Sequence, residues 1–435
     1  MKYIFLVFML FLRFSGISQT IHYVKETSSG SGNGTSWANA SGDLQAMINK
    51  ATAGDTIWVA AGTYKPVRTA EGWSNGAPEA TNNALPDGNR NNAFVMKSGV
   101  VILGGFRSNA DDITDISLAQ RNWATNVTIL SGDIGIMGNS TDNAYHVVCA
   151  VNIINSVLDG FTITGGNANG DPVILISING NIHRINRGGG IYTYGVTDTK
   201  FINLIVRNND ADMHGGGMVN RSNSAPVVIN SVFCNNNTTS TSGGGGGIAN
   251  DQSSPVFVNL TVSKNHATSS QSNQSGGIMN TNNSHATIYN SIIWGNTWGS
   301  PPNIGIGDVE FNANTFPNTL TYVNCLVGNT ALGFNVPPPS YTTPGFVNPS
   351  IDNFRLLGGS VAIDIAADSI LNALGITTDL DGLPRFFGSH ADLGAYENQG
   401  VVITPDANGI VYVKKHVSTG DGTGQSWFNA AKELA

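Results

Sequence analysis

Gly188-Gly189-Gly190-Ile191, Gly215-Gly216-Gly217-Met218, the run Gly243 to Gly247 with Ile248, and Gly276-Gly277-Ile278 recur through the middle of this 435-residue chain. The apolar residue closing each cluster follows the previous one by 27, 30 and 30 residues. An interval of that size marks a stacked repeat. Polar positions keep the same phase: Asn220, Asn250 and Asn280 each stand two residues after the closing apolar residue. Two further asparagine series run alongside, Asn203, Asn230, Asn259, Asn290 and Asn208, Asn235, Asn265, Asn296. Asn324 and Asn329 extend the pattern forward, and Leu158 to Asn167 extends it backward.

Between the asparagines lie short β-branched and aromatic runs: Val227-Val228-Ile229, Val256-Phe257-Val258, Leu260-Thr261-Val262 and Ile292-Ile293-Trp294. Such runs favour strands. Val256, Val258, Leu260 and Val262 alternate with their neighbours as a half-buried strand does. No window within residues 188–330 keeps helical apolar spacing over three turns, which excludes a helical solenoid. Three short strands with corners between them make one rung of a parallel β-helix, with rungs about 4.8 Å apart. Glycine suits corners at positive φ and places where one rung's backbone presses on the next. Asparagine tolerates the same corners, and stacked amides can bond up and down a ladder.

Composition agrees with an extended all-β solenoid. Only 11% of residues are charged, against about 25% in an ordinary soluble domain. The net charge of −8 and the absence of a basic stripe argue against a nucleic-acid partner. Residues 1–18 read as a secretory signal, with Lys2, an apolar core from Tyr3 to Leu12, and small residues at Ser15-Gly16-Ile17-Ser18. No later stretch is long or apolar enough for a transmembrane segment. Cys149, Cys234 and Cys325 are widely spaced and read as buried, unpaired thiols.

Residues 43–64 depart from the repeat. Leu44, Met47, Ile48 and Ala51 share a helical face behind Asp43, and a turn and strand follow from Ala53 to Tyr64. The helix is expected to cover the open end of the solenoid. Residues 65–92 form a polar excursion.

The helix followed by Ala-Gly-Asp-Thr-Ile-Trp-Val-Ala-Ala-Gly-Thr-Tyr resembles the N-terminal segment of secreted right-handed parallel β-helix proteins of the pectin-lyase-like superfamily. Val101 to Phe106, Gln120 to Trp123 and Thr128 to Asp133 are similar to the next segment of large bacterial surface members. The Gly-Gly-Ile and Asn repeats resemble the polymorphic outer-membrane protein repeat. Ala362-Ile363-Asp364, Thr378 to Arg385 and Asp392 to Glu397 resemble the closing region called choice-of-anchor Q. The likeness spans roughly residues 20–400 and implies an architecture rather than one activity. Ile410 to Lys414 and Ser426 to Ala430 repeat Ile21 to Lys25 and Ser36 to Ala40, so the C-terminus reads as the start of a second such domain.

The fold makes a polysaccharide lyase or glycoside hydrolase the obvious enzymatic reading. A lyase acting on acidic sugars needs a basic Arg or Lys, usually with Ca²⁺ held by carboxylates, and a hydrolase needs paired carboxylates. The richest ionisable stretch holds Asp171, His183, Arg184, Arg187, Lys200, Arg207, Asp210, Asp212 and His214, of which Arg184, Arg187, Arg207, Asp210, Asp212 and His214 are the catalytic candidates. Rung geometry is expected to bring the three arginines to one side, with Asp210 and Asp212 facing one way and His214 beyond them. The alternative is that they decorate solvated corners. Asp379, Asp381 and Asp392 are the candidate Ca²⁺ ligands, the alternative being turns that close the solenoid. Trp73 and Trp298 are the candidate sugar-stacking residues.

The expected molecule is an all-β, right-handed parallel β-helix with an N-terminal amphipathic helix cap. Its parts are a signal peptide at 1–18, the cap at 19–64, rungs with long insertions at 65–157, and regular rungs at 158–345. A closing region at 346–400 and the second-domain start at 401–435 complete it. The expected role is that of a secreted or cell-surface, adhesin-like protein binding glycans or other surface polymers without turnover. The alternatives are a lyase or hydrolase of an acidic polysaccharide, and a spacer.

Overall fold

The computed structural model describes residues 19–70, 73–74, 89–172, 175–268, 275–300, 303–311, 318–328, 343–400, 408, 410 and 412. Residues 1–18, read as a signal peptide, Asn329, and nearly all of residues 401–435, read as the start of a second domain, lie outside these residues.

The backbone winds as a parallel β-helix with three sheets along its length. Phe94, Val148, Ile191, Met218, Ile248, Ile278 and Val309 pair in register as one column of the seven-stranded sheet. All seven are buried. The glycine clusters therefore mark equivalent layers, as their spacing predicts. A six-stranded sheet of short strands runs from Asn167–Ala168 through Asp210–Ala211, Asn237–Thr238 and His266–Ala267 to a hairpin at Thr297–Ile306. The third and longest sheet contains Val227–Cys234 and Val256–Ser263, each bent at a central asparagine. Parallel crossovers take the right-handed sense in about 98% of cases, the sense expected for this winding.

Two requirements explain the glycines. Gly215 has φ +67°, where a side chain would be strained. Its neighbour Gly216 needs space instead, since a Cβ there would overlap the carbonyl oxygen of Asn237.

Asn220, Asn250 and Asn280 point into the solenoid as a fully buried ladder. Nδ2 of Asn220 donates to Oδ1 of Asn250 at 2.9 Å, and Nδ2 of Asn250 to Oδ1 of Asn280 at 2.7 Å. A second ladder corrects the asparagine series read from the sequence. The stacked residues are Asn209, Asn236, Asn265 and Asn296, linked at 3.0, 2.9 and 2.9 Å and ended by Asp308 at 2.7 Å. Asn208 and Asn235 belong to the adjacent left-handed corner, with φ of 54° at each, where Lys264 takes the next place. Rungs of unequal length make two neighbouring columns look like one.

The N-terminal cap has the expected form. Asp43 accepts from the N–H of Ala46 at 2.8 Å, starting the helix Leu44–Lys50. Leu44, Met47 and Ile48 join the apolar interior with Val24, Ile57 and Val100. Oε1 of Gln45 accepts the N–H of Val95 at 2.8 Å, satisfying a backbone donor on the outermost strand of the seven-stranded sheet.

The closing region lies along the flank. Leu356, Ala362, Leu371 and Leu393 pack on Ile229, Val258 and Ile292 of the long sheet. The corner asparagines hold it there. Asn230 donates to Thr378 O at 2.7 Å, Asn324 to Ile365 O at 2.7 Å, and Asn290 accepts from Ala367 N at 2.7 Å. Cys149, Cys234 and Cys325 are buried and unpaired. Among the described residues no helix is long and apolar enough to cross a membrane.

Candidate functional site

Alternation along the seven-stranded sheet turns Cys149, Tyr192, Val219, Ala249 and Met279 outward. The antiparallel hairpin Leu175–Ile178 and Asn181–Arg184 folds over part of this face, and Ile176, Ile178 and Ile185 pack against it. Beside the hairpin, side chains from successive rungs converge. Arg221 Nε lies 3.0 Å from Asp251 Oδ2, and Arg187 Nη1 lies 3.4 Å from the same oxygen. Asn282 Nδ2 donates to the other carboxylate oxygen at 2.8 Å. Arg221 Nη1 reaches the Tyr192 hydroxyl at 3.4 Å, which stands 3.1 Å from His183 Nδ1. Arg187 and His214 are backbone neighbours across adjacent rungs.

The two arginines share one carboxylate unequally. Burial opposes the charge on Arg221, but Tyr192 and Asp251 outweigh it and raise its pKa. Burial and the nearby Arg221 lower that of Arg187, and Asp251 compensates only partly. Burial raises the Asp251 carboxyl, yet Asn282, Arg221 and Arg187 reverse this and hold it below its ordinary value. His214 is pushed down to about 4 by burial and by Arg187. Arg187 Nε and His214 Nδ1 are buried without a hydrogen-bond partner among the described residues. Two cations on one anion leave net positive charge and spare donors on this face.

Arg184 sits on the covering hairpin and donates to Pro172 O at 2.8 Å, near enough for its charge to lower the pKa of Arg187. Arg207 does not join them. It lies on the long sheet, paired with Cys234, and its charge acts on Asp352. The alternation that places residues in or out of a strand does not say which of three faces the strand occupies. Asp210 and Asp212 flank inward Ala211 on the short-strand sheet. Asp210 accepts from Asn237 at 2.9 Å and Asp212 from Thr239 at 3.3 Å. Burial raises the Asp210 carboxyl, and Asn237 partly offsets it. Of that stretch only His214 turns toward the arginines.

The sequence reading missed Arg221, Tyr192 and Asp251. Its own register held the signal: Arg221 and Asp251 each stand three residues after the closing apolar residue of successive rungs, with opposite charge.

The aspartates proposed for Ca²⁺ do not meet. Asp379 accepts backbone N–H groups from Asp381, Leu383 and Glu397, each at 2.9 Å. Asp392 accepts from Asp364 at 2.9 Å and Asn398 at 2.6 Å, while both oxygens of Asp381 face Arg355. Among the described residues no three His, Cys, Asp or Glu side chains are grouped to hold a metal. These carboxylates shape the turns of the closing region. Trp73 begins a two-residue strand paired with Ser177–Ile178 at the covering hairpin. Trp298 lies in the terminal hairpin of the short-strand sheet, its ring close to Gly307.

No family model and no curated protein matches the chain. Among solved structures, the crystal structure of pectate lyase Pel9A is similar to it, at 12% identity and a TM-score of 0.39, covering 88% of this chain and 97% of that chain. The fold assignment stands on the strand register described above.

Proposed function

We propose that this chain is an exported, surface-acting β-helix protein that binds an acidic glycan on the outer face of its seven-stranded sheet without turning it over. The carrying observation is Arg187 and Arg221 against the single carboxylate of Asp251, with Arg187 Nε unpartnered. Two guanidinium side chains, 18% and 20% exposed beside one carboxylate, suit the planar carboxylate of a uronate. Glycosidic hydrolysis by the usual route needs two carboxylates about 5–9.5 Å apart. This cluster holds one, with its oxygens engaged by Arg187, Arg221 and Asn282.

Export rests on the character of residues 1–18, and cell fractionation of the native protein tests it. For the ligand, the purified chain is incubated with acidic and neutral polysaccharides, with and without Ca²⁺. Salt-sensitive retention on uronate polymers, lost in Arg187→Met, with no product released, supports the reading. Equal retention by Arg187→Met defeats it.

A lyase is the second reading, favoured by Arg187 and Arg221 standing together at one carboxylate, the basic groups such a reaction needs. Unsaturated uronate ends appearing with wild type and absent with Arg187→Met would establish that reading over simple binding.

A further inference from the structure

We propose that a second site, for a neutral sugar ring, lies where the closing region meets the insertion that follows Phe106, on the long sheet. It shares no residue with the arginine cluster and does not depend on the acidic-glycan reading. A trough of about 450 Å³, counting the solvent in its mouth, runs between these segments. Its floor is the long sheet around Thr162 and Asn203, and its walls carry Trp123 on one side and Tyr396, Arg355 and Asp381 on the other.

Three distant parts of the chain build this trough, and they are tied together before any ligand arrives. Trp123 Nε1 donates to Leu380 O at 2.8 Å, joining the two walls. Behind the indole, the Arg121 guanidinium lies 4.7 Å from the ring centre and is anchored to Asp159 at 2.8 Å. The Arg355 guanidinium lies 4.7 Å from the centre of the Tyr396 ring. It bonds both oxygens of Asp381, at 2.6 and 2.5 Å. A site whose groups are held by one another loses little entropy when it is filled.

The lining selects the ligand class. Arg355 and Asp381 cancel, so a charged ligand would have to break their pair and desolvate the partner left behind. A neutral ligand has no such cost. The half-buried Trp123 indole suits the C–H face of a pyranose, while donors and acceptors side by side on the Arg355–Asp381 rim suit neighbouring hydroxyls. Arg355 is about half exposed at 48%, so it reaches a ligand without first unfolding its surroundings.

Cello-, xylo- and manno-oligosaccharides titrated into the full chain, followed by calorimetry, test the proposal. At least one is expected to bind saturably, and Asp381→Asn to weaken it at least about tenfold. Arg187→Met is expected to leave this binding unchanged, so its failure is separable from that of the acidic-glycan reading. Should Asp381→Asn fold poorly, the indole N–H resonance of Trp123 in the unaltered chain, assigned with Trp123→Phe, is expected to shift on titration. No saturable binding at millimolar sugar, or binding that neither Asp381→Asn nor the Trp123 resonance registers, overturns it.

Discussion

Replacing Asn236 with leucine removes one amide from the longer ladder while keeping the same number of side-chain heavy atoms in a branched arrangement. Asn236 is fully buried. Its Oδ1 accepts Asn209 N at 3.1 Å and Asn209 Nδ2 at 3.0 Å. Its Nδ2 donates to Val206 O at 2.9 Å and Asn265 Oδ1 at 2.9 Å. The losses are unequal. Asn209 Nδ2 keeps Ile163 O and Arg207 O, and Asn265 Oδ1 keeps the N–H of Asn236 itself. Asn209 N–H loses its acceptor inside the solenoid, where water does not replace it, whereas Val206 O loses one donor but stays within a strand paired on both sides. At about 1–3 kcal/mol for a buried group left unsatisfied, the expected cost is about 2 kcal/mol. Denaturant unfolding, followed by far-ultraviolet circular dichroism, measures it. Asn372→Ala, exposed on the short helix Asp368–Leu374, serves as the control and should stay within about 0.5 kcal/mol. A loss below about 1 kcal/mol for Asn236→Leu would mean that the ladder contributes little and that strand packing alone holds the rungs.

Gly216→Ala should destabilise by about 1–3 kcal/mol in the same assay, because its Cβ meets the carbonyl oxygen of Asn237; a neutral result would refute the close-approach account. His146, His183 and His214 are pushed down to about 4, 3 and 4, chiefly by burial. Unfolded histidines bind protons near pH 6.5, so stability should fall as pH drops from there through about 4. The slope is about 1.4 kcal/mol per pH unit for each histidine, and His146→Gln should flatten it. A melting temperature constant between pH 7 and 5 would contradict this. Arg385→Met should cost about 3–5 kcal/mol, since it strands Asp379, Asp392 and Glu397 around a fully buried site. Limited proteolysis should then cut residues 346–400 first, and uniform cutting would show that the region is not held this way.

Much of the architecture was legible because a solenoid repeats one solution. Glycine where backbone meets backbone, asparagine at the left-handed bends, and β-branched residues between them recur at the rung length. The helix cap announced itself through Asp43 and one apolar helical face. The ionisable residues were less legible. Rung geometry was expected to bring Arg207 to the side of Arg187, yet the winding backbone places them on different sheets. Arg221 and Asp251 are a rung apart in sequence and 3.0 Å apart in space.

From residues alone come the rung, its interior and the cap, since each follows from local conformational preference repeated many times. Only the folded chain settled which charges meet, which asparagine column stacks, and that residues 346–400 lie along the flank. The reason is that corners of unequal length set the phase between rungs, and every lateral contact depends on that phase.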